Sequence, residues 1–385
     1  MAFMIATLYD TTEWNVFSEQ ALAGIDTLMK LMRYGCYGLC MIKLLVDVYY
    51  DRRRMIVFGV ALAILVIGYF GNHNNMLVLY STIFIAADDI DSDWIVKIAL
   101  LCQSLIFIVT VGLAELGIVD NVIWDATSAR PRYFMGFAWV TTASILFLFM
   151  ALEYIYLKRG RINIAEYGVM MVINYWLYRL TDTRMATIIL IFGATFFLIF
   201  GWEMKKGHIT YRLRVLWTAV PFILAVVTIL LQYVYYPGNA LLSKLNDLLS
   251  GRLQYGNNGI AEYGFSLFGR QITWVGYSND WKSGMKYNYV DSSYLQVALE
   301  FGVVILLLVL MMYSILIYTS IRNGKYYISW IIMIVLLLCV TEPRLVKLAF
   351  NPFLLLSVTE SIEYMRNRNK NRDIVKYEET EIINS

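Results

Sequence analysis

Histidine is nearly missing from this chain: only His73 and His208 occur in 385 residues. That argues against a histidine metal cluster and against a Ser-His-Asp triad. No GxxxxGK[ST] phosphate loop and no glycine-rich dinucleotide turn is present, so nothing points to a nucleotide-fuelled pump or a Rossmann enzyme. Charged residues make up only 16% of the chain, against roughly a quarter in an ordinary soluble domain. A soluble fold of this length would have too little polar surface. Four cysteines, Cys36, Cys40, Cys102 and Cys339, all lie in apolar segments, so no disulfide is expected. Cys36 and Cys40 can share a helical face but have no histidine nearby, and no metal site is expected. Of five prolines only Pro221 sits well inside an apolar stretch, and no internal repeat is visible; both absences weigh against a secondary transporter. The N-terminus lacks a basic n-region and a small-residue cleavage pattern, so the apolar segments themselves are expected to direct insertion.

What is abundant is apolar sequence: 59% of residues are hydrophobic and the mean hydropathy is +0.59. Stretches long enough to cross a roughly 30 Å hydrocarbon core recur along most of the chain, and each must be helical because lipid offers backbone amides no partner. The sequence therefore predicts an all-α polytopic membrane protein. Eleven spans are expected, near 24–47, 55–71, 76–90, 97–118, 135–157, 163–181, 185–202, 215–236, 292–320, 326–341 and 346–361. The third is short and runs into Asp88, Asp89, Asp91 and Asp93, the pattern of a partly re-entrant segment. Met1 to Leu8 read as the stump of a further span, which would make twelve.

Lys and Arg cluster at 52–54, 158–161, 205–214, 322–325 and 366–372. With these spans all five clusters fall on one face, which the positive-inside bias makes cytoplasmic. The first 29 residues carry Asp10, Glu13, Glu19 and Asp26 but no Lys or Arg, as an outer N-terminus would. The net charge of +3 is a sum over two faces and predicts no nucleic-acid partner. Residues 1–385 are read as one membrane domain, with 362–385 as a basic cytoplasmic tail.

The longest polar stretch, residues 237–291, is a single large loop on the outer face, and loops of that length are usually functional. It opens with a segment that puts Leu241, Leu242, Leu245, Leu248 and Leu249 on one helical face, with Asn239 as cap and Gly251 as stop. Glycines interleave with aromatics from Tyr255 through Trp274 and Trp281 to Tyr289; such rings serve as interfacial anchors or as stacking faces for sugars. Arg130, Arg132, Arg184, Arg252, Arg270 and Arg344 lie outside or near the outer boundary, where the charge bias predicts none. Together they suggest an anionic ligand, since guanidinium forks match phosphate oxygens and stay charged. Asp182, Asp291 and Glu342 accompany them. Asp291 has no basic neighbour in sequence and precedes an apolar helix, where desolvation would raise its pKa toward that of a useful base.

The stretch from Val290-Asp291-Ser292-Ser293 to Phe301-Gly302-Val303 resembles the segment that closes the large external loop of Wzy-type polysaccharide polymerases and O-antigen ligases. Leu249-Ser250-Gly251-Arg252-Leu253 with Gly264-Phe265-Ser266-Leu267-Phe268-Gly269 is similar to the loop core of those polymerases, and Thr181-Asp182-Thr183-Arg184-Met185-Ala186 to their T-x-[ST]-R-x-A motif. Ala129–Phe137, Thr341-Glu342-Pro343-Arg344 and Asn351-Pro352-Phe353 agree in order. The resemblance runs from about Arg33 to Phe353; the histidine that many ligases carry is replaced by Asp291.

The resemblance implies a GT-C-like, metal-independent glycosyltransferase without cofactors, in the bacterial cytoplasmic membrane. It would transfer a growing glycan from undecaprenyl diphosphate onto a lipid-linked repeat unit. It assigns Arg184, Arg252 and Arg270 to the diphosphate and Asp291 to general base, with Arg130, Arg132, Asp182, Glu342 and Arg344 as further substrate-binding candidates. Expected partners are the lipid-linked oligosaccharide, membrane lipids, and a flippase and chain-length regulator of the same pathway. The alternatives are a ligase with the same donor and a flippase or transporter of lipid-linked sugar.

Overall fold

The computed structural model describes residues 1–14, 19–46, 52–88, 90–124, 131–203, 211–278 and 285–368. Arg130, Asp89, Trp281, Lys205, Lys206 and the tail beyond 368 lie outside the described residues. Of the described residues, 72% are helical. Its helices are α1 (Ala2–Tyr9), α2 (Glu19–Val46), α3 (Arg52–Asn72), α4 (Met76–Ala86), α5 (Ser92–Glu115), α6 (Thr142–Leu157), α7 (Ile164–Thr181), α8 (Arg184–Phe200), α9 (Tyr211–Tyr233), α10 (Ala240–Leu248), α11 (Arg252–Tyr263), α12 (Ser293–Glu300), α13 (Val303–Arg322) and α14 (Tyr326–Leu338). A short 3-10 helix at Pro352–Leu355 leads into a last helix over 356–368.

Four helical segments among the described residues are long and apolar enough to cross a membrane: Met55–Asn72, Ser92–Glu115, Arg214–Tyr233 and Val303–Arg322. Shorter apolar helices are Met76–Ala86, Thr142–Leu157, Arg184–Phe200 and Tyr326–Leu338. Together they make a helical membrane protein. The expected segment at 76–90 holds only the 11 residues of α4, about 16 Å at 1.5 Å per residue, roughly half a hydrocarbon core. The all-α expectation also meets a small exception: Ile123–Trp124 (β1) and Arg132–Tyr133 (β2) pair antiparallel, with Trp124 opposite Arg132.

The helices have two chemically different ends. At one, Arg159 in the α6–α7 turn pairs with Asp93 at the start of α5. There Lys325, before α14, pairs with the buried Glu360 and with Glu363 of the last helix. At the other end lie the α3–α4 turn, the Thr181–Arg184 turn between α7 and α8, α10 and α11, and the segment after α14.

Two departures from continuous spans shape that second end. The apolar run 292–320, expected as one helix, is broken at Gly302, whose φ is +97°. Loop residues dock in the break: Val303 N–H donates to Ser266 O (3.0 Å), Val304 N–H to Leu267 O (3.1 Å) and Arg270 N–H to Glu300 O (3.1 Å). The loop carbonyls thus satisfy donors that the first turn of α13 would leave orphaned. A side chain at Gly302 or Gly269 would overlap the opposing backbone, so glycine is required on both sides of the crossing. The second departure is the segment 339–351, irregular and largely buried. Irregular backbone at membrane depth persists only where protein satisfies it. Here Ser293 Oγ donates to Glu342 O and accepts from Leu345 N–H, Tyr313 O–H donates to Leu345 O, and Asn351 Nδ2 donates to Tyr313 Oη. Gln103 of α5 donates to Ala349 O, to Phe350 O and to the buried Glu153 of α6.

Candidate functional site

Asn239 Oδ1 accepts from Leu241 N–H and Leu242 N–H and starts α10 where the sequence places a cap. Ser250 (φ +55°) and Gly251 (φ +84°) then reverse the chain, and Arg252 is the first residue of α11. The glycines of α11 let it approach its neighbours: a Cβ at Gly256 would overlap Gln232 of α9, and one at Gly259 would come within 2.8 Å of Val290. This close packing holds Arg252 against the irregular segment after α14.

Arg252 is the hub. Its Nε donates to Thr341 O (3.1 Å) and lies 3.4 Å from Asp291 Oδ2. Nη2 donates to Glu342 Oε1 (3.3 Å) and Nη1 to Leu249 O (3.3 Å). Asp291, without a basic neighbour in sequence, therefore gains one from the far side of the loop. Arg344 lies within electrostatic range of both carboxylates and Arg132 within range of Glu342. Arg132 Nε donates to Thr181 O (2.8 Å), and its charge feels Asp182, the left-handed residue (φ +46°) that ends α7. Arg344 stacks on the Phe350 ring at 4.2 Å.

Two carboxylates, Glu342 buried and Asp291 partly exposed, share one guanidinium. Burial pushes Glu342 up to about 7, opposed by Arg252, Arg344 and Arg132 and helped by the charge of Asp291. Burial also raises Asp291, opposed by Arg252 and Arg344. The side chain of Asp291 is 22% exposed and that of Glu342 only 5%, so Asp291 is the carboxylate an incoming group can reach.

A cleft of about 410 Å³ is lined by Tyr255, Asn258 and Glu262 of α11 and by Lys286, Tyr287, Asn288 and Tyr289, which stands two residues before Asp291 in the chain. Its tyrosines feel the charge of Asp291. The loop aromatics pack on one another and on two tryptophans outside the loop: Tyr277 stacks on Tyr287 (4.5 Å), and tilted contacts join Tyr287 to Tyr255 (4.7 Å), Trp124 to Tyr277 (5.1 Å) and Trp139 to Tyr289 (5.1 Å). Of these rings Tyr255, Tyr287 and Tyr289 line the cleft, and Tyr277, Trp124 and Trp139 pack onto them or onto one another. The result is a polar, ring-lined trough beside a carboxylate, suited to a sugar's mixed faces.

Of the sequence candidates, Arg132, Asp182, Arg252, Asp291, Glu342 and Arg344 converge. Arg184 borders them: its side chain is 53% exposed and 3.5 Å from Asp182. Arg270 stands apart, its guanidinium beside Gly264 at the other end of α11 from Arg252, about 18 Å at 1.5 Å per residue. Ser293, Trp139 and Lys347 were not singled out from sequence. Lys347 had a signal, as the one lysine inside an apolar segment at 346–361, where ionisable residues are usually functional.

The coupled carboxylates predict a pH dependence. Burial and the charge of Asp291 hold Glu342 at about 7, and burial raises Asp291, so the two carboxylates titrate as a coupled pair. Removing the second carboxylate with Glu342→Gln leaves Arg252 wholly to Asp291, so Asp291 should titrate lower. The acid limb of the pH–rate profile should then move to lower pH, read from initial rates between pH 5 and 8. An unmoved limb would uncouple Glu342 from the reaction.

No family model matches the chain, and neither does any curated protein or solved structure.

Proposed function

We propose that the protein is a Wzy-type polysaccharide polymerase, which moves a growing glycan from undecaprenyl diphosphate onto the non-reducing sugar of a lipid-linked repeat unit. The observation that carries this reading is the cluster around Arg252. Three arginines and two carboxylates with raised pKa values are gathered at one end of a membrane helix bundle, beside a tyrosine-lined cleft. Such a site supplies charge for a departing diphosphate, a base for an attacking hydroxyl and ring faces for a sugar.

In this reading the acceptor lies in the cleft, and Asp291 takes the proton of its attacking hydroxyl. The anomeric carbon–oxygen bond to the diphosphate breaks as the new glycosidic bond forms, and the leaving diphosphate keeps the electron pair. Arginine donors stabilise the charge that builds on it, an effect of ~3–4 kcal/mol per well-placed donor by analogy with oxyanion donors. The glycosyl–diphosphate bond already holds the energy, so the reaction can run on the outer face without nucleotides. Eleven spans, counted from the sequence, would put this end outside and the Arg159–Lys325 end in the cytoplasm. The separation of basic turns from the cluster supports that orientation.

Orientation is checked first. Single cysteines at Ser278, in the loop, and at Asn371, in the tail, are introduced into a background without native cysteines. An impermeant thiol reagent on intact cells should label only Ser278→Cys. Labelling of Asn371→Cys instead would invert the protein and remove the cluster from the outer face.

A further inference from the structure

Arg344 and Lys347 are two cations that the described protein does not neutralise by hydrogen bonds. Both are only partly exposed. Arg344 Nε is buried with no partner, and its guanidinium lies over the Phe350 ring at 4.2 Å. The amine of Lys347 reaches only the thioether sulfur of Met76, at 3.7 Å, a weak acceptor. The neighbouring carboxylates are engaged elsewhere. Glu300, the acid that Lys347 feels, accepts from Asn74 Nδ2 and Trp274 Nε1, both at 2.7 Å. Asp291 and Glu342 are held by Arg252. Partly buried cations without acceptors are costly unless an anion completes them.

The two residues are neighbours on the irregular segment after α14, and their charges interact. Arg344 also feels Asp291 and Glu342, so the pair borders the Arg252 cluster on the side of α4. Arg344 offers a planar fork and Lys347 a rotatable point charge, a combination suited to two adjacent phosphates. Three of the five guanidinium N–H donors of Arg252 already go to protein acceptors, whereas Arg344 and Lys347 have theirs to give.

We infer that Arg344 and Lys347 seat the diphosphate of a lipid-linked ligand, with Lys347 a ligand-binding residue that Arg252 and Arg270 do not replace. This rests on the proposed reading for the lipid carrier, while the anion site itself stands on the two cations.

The test uses the full chain in phosphatidylcholine nanodiscs, with farnesyl diphosphate, inorganic pyrophosphate and phosphatidylglycerol as probes and thermal stabilisation as readout. Farnesyl diphosphate should raise Tm in wild type and in Arg270→Gln. Lys347→Met, whose side chain packs beside Met76 without charge, and Arg344→Gln should each weaken its binding at least ~10-fold, while Lys347→Arg keeps most of it. If Lys347→Met does not fold, Lys347→Gln replaces it under the same expectation. Unchanged affinity in the Lys347 variants, or an equal loss in Arg270→Gln, would overturn the site. Pyrophosphate or phosphatidylglycerol binding more tightly than farnesyl diphosphate would overturn the lipid-diphosphate assignment. Polymer synthesis is measured on the same variants. Lys347-dependent binding in a protein that makes no polymer would keep the site and remove the polymerase reading; polymerisation with Lys347-independent binding would do the reverse.

Discussion

Asp291→Asn is expected to reach the membrane at wild-type abundance and to polymerise at least ~10²-fold more slowly, the lower end of what general acid–base catalysis contributes. Asn keeps the shape and an oxygen for Arg252 Nε, 3.4 Å away in the wild type, so folding should be spared. What it loses is basicity, which burial raises at this position. A capping role would predict little change, since Asn and Asp cap about equally well. The structure makes that role weaker, because Ser292 and not Asp291 is the N-cap of α12. A well-expressed Asp291→Asn protein with near-wild-type polymer would exclude Asp291 as the base, and Glu342, held near neutrality, would be the next candidate.

Arg252 carries the second large effect, on assembly as well as chemistry. Its three guanidinium nitrogens serve Thr341, Leu249, Glu342 and Asp291, a fan that one ammonium cannot reproduce. Arg252→Lys should therefore abolish most polymer synthesis although the charge is kept. Arg252→Met should in addition cost about 3–5 kcal/mol of stability, because it removes the cation hydrogen-bonded to the buried Glu342. Thermal unfolding of the purified variants separates the two losses. Arg184→Lys is the informative contrast: Arg184 is half exposed with one long contact to Asp182. Polymer loss there, with unchanged Tm, would place Arg184 on the diphosphate, as its sequence motif implies. Normal polymer from Arg252→Lys would reduce the hub to a structural ion pair.

The sequence was most informative where local chemistry acts alone. The Asn239 cap and the leucine spacing of α10 were legible because both depend on residues within two turns. So was the choice of chemical residues: outer arginines violate the charge bias wherever they sit, and most of the arginines and accompanying carboxylates named converge on Arg252. Their pairing was not legible, because Arg252 and Asp291 meet only after α11 packs on α9 through Gly256. The break at Gly302 was hidden for a related reason. Glycine is common inside membrane helices, and only the docking of Ser266, Leu267 and Arg270 turns this one into an interruption. The resemblance groups Arg270 with the diphosphate, whereas its guanidinium stands beside Gly264, at the other end of α11 from Arg252.

The measurement that bears most directly on the central claim is single-turnover synthesis by the purified protein in liposomes, supplied only with undecaprenyl-diphosphate-linked repeat units and no nucleotide. A polymerase lengthens the glycan by whole repeats and releases undecaprenyl diphosphate in proportion to the bonds formed, with both signals lost in Asp291→Asn. Repeat units that cross the bilayer without lengthening, or that pass intact to a different acceptor, would contradict it.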